Sequence, residues 1–302
     1  MTRRTDILAA MLIGALGCAQ SSTMDEHRII QATAAEFETV VRIDGRILKE
    51  SSYLGIPGAV TDRLRQPFVF LLEGVFKHKN AGALLQNTST VVRGARDFQA
   101  PNGLGLVRST SCYVLITKSR VNLERLFGKP EQGSVGDRPV WRWSAQLEEF
   151  GESDSRPSVF FATADKDQVL ICNDGDTLAA MLRRLRDPRA TDASERFGNV
   201  SPVFWAHRKY RHNTTAREAA ALTDISPWTE SLTLAVDDKA KYAVLHLTSP
   251  QGAHDLPLGP DPFSFRPIDS RTIAATIVLS GEDGSLEKLS IALYLLGFGI
   301  YV

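Results

Sequence analysis

Six histidines are spread along the chain, and only His207 and His212 lie close together, with Glu218 downstream. A metal site needs His, Cys or carboxylate clustered at set spacings. A spacing of five puts two histidines on no common strand face and makes them poor helix neighbours, so a solvated loop explains them better. Between them runs Arg208-Lys209-Tyr210-Arg211, the densest basic stretch, with Trp205 beside it. Basic residues interleaved with aromatics can hold phosphates or sugars. Arg208, Lys209 and Arg211 are therefore the candidate anion-binding residues, although a solvated turn accounts for the same stretch.

Other chemistries find less. Nucleophilic hydrolysis needs a Ser or Cys on a strained elbow. The Gly-x-Ser-x-Gly pattern is absent, and Gly133-Ser134-Val135-Gly136 reads as a flexible loop. Phosphate cradling needs a glycine turn ahead of a helix, but Asn102-Gly103-Leu104-Gly105 runs into more strand. Asp165, Asp167, Asp174 and Asp176 lack the ligand spacing of a calcium loop and are explained by turns and helix capping. Trp141 and Trp143 share one face of a strand. They could stack a sugar ring, but closing a core under a helix is the favoured reading. No catalytic residue, metal ligand or cofactor is assigned from the sequence.

The first twenty residues carry a clearer message. Arg3 and Arg4 precede an apolar run from Ile7 to Leu16, which gives way to small residues around Cys18. That order is the layout of a secretory signal peptide over residues 1–19. The apolar run is too short to span a bilayer, which takes about 20 residues. Ala15-Leu16-Gly17-Cys18 resembles the lipobox of bacterial lipoproteins, which implies lipidation at Cys18. It departs from that pattern in having Ala three places and Leu two places before the cysteine. Plain cleavage before Gln20 is the rival. Thr2-Arg3-Arg4 faintly resembles a twin-arginine signal, with Asp6 where that motif prefers an apolar residue.

Export leaves Cys112 and Cys172, an even pair in an oxidising compartment. Both sit in apolar, strand-like runs. A bridge of that span would contribute about 4 kcal/mol in the chain-entropy model. Two small buried thiols that never meet are the alternative, slightly favoured because spacing carries no geometry.

The 302 residues suffice for one large or two ordinary domains, and 43% hydrophobic with 23% charged is a globular composition. Lys plus Arg equals Asp plus Glu at 35 each. That balance gives no support to nucleic acid as a partner, and a membrane enters only through the lipid anchor.

The element pattern is strongest over residues 158 to 188. Two β-branched and aromatic runs flank Asp165-Lys166-Asp167, a hairpin signal. Leu178, Met181, Leu182 and Leu185 follow at i, i+3, i+4 and i+7, one face of a helix capped by Asp176 and closed by arginines and Pro188. Asn122 to Phe127 reads as a short helix stopped by Gly128. Phe37 to Ile43 reads as a strand resuming at Arg46 after an Asp44-Gly45 turn, and Phe68 to Phe76 as a buried strand. Val203 to Ala206 reads as a short strand, Thr214 to Leu222 as a helix, and Ser231–Val236 with Tyr242–Leu247 as a hairpin. Ile273 to Leu279 and Leu286 to Leu293 read as another hairpin. Residues 20–33 read as a disordered leader. The sum is an α+β fold over residues 34–302: a mixed or antiparallel sheet of hairpins with covering helices. Two loosely related halves, with a boundary near 188–200, are conceivable.

On function the expectation is an exported, periplasmic or lipid-anchored envelope protein. It is read as a non-catalytic binding or interaction module, whose partner is another envelope protein or a small ligand. A hydrolase with a dispersed active site is the alternative class.

Overall fold

The computed structural model describes residues 26–298, apart from 52, 54, 78–80, 97–109, 130–133, 136–137, 145–157, 187–196, 198–199, 211–228, 238, 240 and 250–262. The signal segment with Cys18, the residue Arg211 and the helix expected at 214–222 lie outside the described residues.

The fold is α+β, built on one antiparallel sheet. Its strands are β1 (Thr39–Asp44), β2 (Thr88–Arg96), β3 (Thr110–Thr117), β6 (Trp141–Ser144), β7 (Ser158–Asp165) and β8 (Gln168–Cys172), then β9 (Phe204–Lys209), β10 (Ser231–Val236), β11 (Tyr242–Thr248), β12 (Arg266–Pro267) and β13 (Thr272–Val278). A separate two-stranded ribbon pairs β4 (Ser134–Val135) with β5 (Arg138–Pro139). Among the described residues the main sheet has 11 strands in the order β12-β13-β11-β10-β9-β1-β2-β3-β8-β7-β6. β9 pairs with β1, so the sheet runs unbroken between strands on either side of residues 188–200.

Alternation along the strands gives the sheet two apolar faces. One face is covered by α1 (residues 26–36) and α6 (Gly175–Arg186), which bury Ile29, Ile30, Leu178, Met181, Leu182 and Leu185 over Val92, Val114, Ala162 and Leu170. The opposite face carries the larger cluster, under α2 (Gly45–Lys49), α3 (Gly58–Arg65), α4 (Gly82–Asn87), α5 (Leu123–Phe127) and α7 (Asp283–Leu295). One cross-strand row on the α1 and α6 side runs through His207, Val40, Gly94, Cys112, Cys172 and Phe160. No helix among the described residues is long and apolar enough to cross a membrane.

Five local expectations need correction. Residues 26–33, expected to be leader, belong to α1. Three ion pairs hold it: Glu26 accepts from Nε of buried Arg42 at 2.6 Å, and Glu36 from Nε of Arg184 at 2.7 Å and from Nη2 of Arg96 at 3.2 Å. Asp44-Gly45 is a helix start rather than a strand turn, because the Asp44 carboxylate caps the Arg46 N–H at 2.8 Å. Residues 66–75 are helical, a 3₁₀ turn running into a π-helix at Phe70–Val75, since a short apolar run does not distinguish buried strand from buried helix. The last apolar run is α7, whose Leu286, Leu289, Ser290 and Leu293 repeat at helical spacing and face β13 and α3. At α6 the cap is Asp174, accepting from the Thr177 N–H at 2.8 Å and from its hydroxyl at 2.7 Å, where Asp176 was expected.

Candidate functional site

Asn122 caps α5 by accepting from the Arg125 N–H at 3.0 Å. The helix ends at Gly128, whose φ of 79° suits glycine at a helix C-terminus. The Gly128 carbonyl accepts from Trp141 Nε1 at 2.8 Å, which pins the turn over the edge strand β6. Trp141 stands opposite Phe161 and Trp143 opposite Val159, so both indoles lie on the same sheet face. Phe127 tilts against Phe161 with ring centroids 4.6 Å apart.

These contacts leave a cleft of about 500 Å³ between α5 and the sheet edge. Phe127, Trp141, Trp143 and Phe161 form its apolar wall, while Arg125 and Lys129 are exposed at its rim, with Glu124 the one acid among the described lining residues. Trp141 is buried and serves the core, as the sequence favoured. Trp143 is only half-buried, so the pair divides into one structural residue and one at the opening. Aromatic faces beside cations suit a flat ring that carries an acidic group.

His207 lies in the strand β9 instead of a loop, because that strand continues to Lys209. Its ring stacks on Trp205 at 5.8 Å and meets Phe197 edge-on at 5.2 Å, and Nδ1 shares a hydrogen with the Thr233 hydroxyl at 2.8 Å. Burial pushes its pKa down to about 4, so the imidazole is neutral near pH 7. Among the described residues its other ring nitrogen has no hydrogen-bond partner, and no three His, Cys, Asp or Glu side chains gather as a metal site.

Of the candidate anion residues, Arg208 and Lys209 occupy successive positions of β9 and therefore opposite sheet faces, with Arg208 5.2 Å over the Tyr210 ring. The cysteines are brought together and joined as a disulfide, against the favoured reading of two separate thiols. They are a directly opposed pair of β3 and β8, a register that spacing alone does not reveal.

Neither a family model nor a curated protein matches the chain. Solved structures that it is similar to are crystal forms of TP0453. Form I is 10% identical over 86% of this chain and 97% of that one, with a TM-score of 0.42. Form III is 9% identical over 89% and 97%, with a TM-score of 0.40. A likeness at that level assigns neither ligand nor activity.

Proposed function

We propose that this chain is a non-catalytic binding module of the bacterial cell envelope, and that its ligand is a small flat-ringed acid held in the cleft beside β6. The observation that carries this reading is the half-buried Trp143, set over an aromatic wall and beside the Arg125 and Lys129 rim. The ring would stack on the indole, and its acidic group would meet the two cations.

The envelope assignment is supported by the charged, apolar and small-residue order of residues 1–19, with lipidation at Cys18 or cleavage before Gln20. A cysteine pair at bridging register suits the same oxidising compartment.

Calorimetric titration with 2-naphthoate and its neutral alcohol, 2-naphthalenemethanol, tests the ligand class. The acid should bind at least about tenfold more tightly, and Trp143→Ala should remove most of that affinity. Equal binding of both, or binding that survives Trp143→Ala, overturns the reading.

A further inference from the structure

On the sheet face opposite the cleft, a second pocket of about 290 Å³ opens between α1, β5, the β7–β8 hairpin and the last turn of α6. Among the described residues its charged lining is Arg28, Arg138 and Arg186 with one acid, Asp165. The aspartate is exposed and its Oδ1 accepts from the Lys166 N–H at 2.7 Å.

Two of the guanidinium groups are under-used. Arg28 spends one donor on the Leu185 carbonyl at 2.6 Å, and its Nε is sealed from solvent with no acceptor. Arg138 has a sealed Nε as well, and among the described residues it has no acceptor at any nitrogen. A guanidinium carries five N–H donors, and leaving buried ones unmade costs about 1–3 kcal/mol each. The sealed Nε atoms, like those of Arg93 and Arg96 away from the pocket, are closed to a ligand, so an anion would be met by the remaining guanidinium donors of Arg28 and Arg138, which line the opening.

We propose that this pocket binds the phosphate group of a small phosphomonoester. Two forked guanidinium groups match the terminal oxygens of a phosphate better than a single carboxylate, which offers only two. With three arginines to one aspartate among its described residues, the lining favours an anion. The volume equals roughly ten waters, so a five-atom ion leaves room for an organic remainder. The residues come from positions 28, 138 and 186, which the sheet brings to one corner.

The test is calorimetry on the full chain with glycerol 3-phosphate and with inorganic phosphate. The expected result is one saturable site for glycerol 3-phosphate with Kd below about 1 mM, and weaker binding of the free ion. Arg28→Gln and Arg138→Gln should each weaken it at least about tenfold, while Arg271→Gln, whose side chain pairs with Glu230 near β10 and β13, should leave it unchanged. Near-ultraviolet circular dichroism checks the fold of each variant. Arg138→Lys, which keeps the charge and loses the fork, replaces Arg138→Gln if that variant unfolds, and the same weakening is expected. No saturation by about 10 mM, affinity unmoved by either pocket substitution, an equal loss in Arg271→Gln, or equal affinity for the two probes overturns the proposal.

Discussion

Cys172 of β8 stands directly across from Cys112 of β3, with 4.1 Å between their Cα atoms and both side chains sealed from solvent. Opposed residues approach this closely only at the non-hydrogen-bonded positions of an antiparallel ladder. The closed loop spans a sequence separation of 60, for which the chain-entropy model gives about 4 kcal/mol. Protein recovered from an oxidising compartment should yield a linked Cys112–Cys172 peptide in an unreduced digest. Replacing both cysteines with alanine should lower the denaturant midpoint by the equivalent of about 2–4 kcal/mol. Full alkylation of both thiols without reductant would contradict the pairing.

Phe37 lies flat on Gly94 in the same cross-strand row. A Cβ added at Gly94 would sit 2.1 Å from Phe37 Cδ2, so the ring at the junction of α1 and β1 depends on the missing side chain. Gly94→Ala should destabilise the chain by about 1–3 kcal/mol through overpacking. Adding Phe37→Leu to that variant should recover part of the loss, measured as a double-mutant cycle by urea unfolding. Additive losses would mean that the two positions do not meet.

Asp44 supplies an acid-sensitive contact. Burial raises its pKa, but hydrogen bonds from the Arg46 side chain and N–H outweigh that and bring it below 3.8. A carboxyl depressed in the folded state stabilises above its ordinary pKa, and that contribution is lost as pH falls through the folded value. Unfolding free energy should therefore fall below about pH 4, with a shallower slope in Asp44→Asn. An unchanged acid limb in that variant would remove Asp44 from the account.

His207 acts in a higher window. Its folded pKa of about 4 lies below the ordinary 6.5 because burial disfavours the charged ring. The unfolded chain binds the proton first, so stability is full above about pH 6.5 and declines as pH falls toward 4. Between about pH 7.5 and pH 5 the loss should be about 2 kcal/mol, and His207→Gln should flatten it. Urea midpoints at the two pH values decide the matter.

How much of this was legible in the sequence depended on whether the signal was local. The hairpin of β7 and β8 and the leucine face of α6 were readable because period and turn chemistry agree over thirty residues. α5 was readable from Asn122 and Gly128. α1 was missed because polar neighbours mask Ile29 and Ile30, whose burial depends on partners far along the chain. Residues 66–75 were missed because a short apolar run carries little period information, and α7 because Ile291, Ala292 and Tyr294 among its leucines blur the helical repeat. The shared face of Trp141 and Trp143 was visible, but not the arrival of Phe127 from α5. The Arg28 and Arg138 pocket had no local signature, since those two arginines are more than a hundred residues apart and meet only through the sheet.

The cleft itself is tested most directly by the indole N–H resonances in a nitrogen-15 spectrum during titration with 2-naphthoate. Ring-current shifts fall off within a few ångströms, so the signals report contact. The account predicts that the Trp143 signal moves most and Trp141 less, saturating together, while Trp205, buried on the opposite sheet face, stays still. Saturable shifts at Trp205 with none at Trp143, or no saturable shift at all, would contradict it.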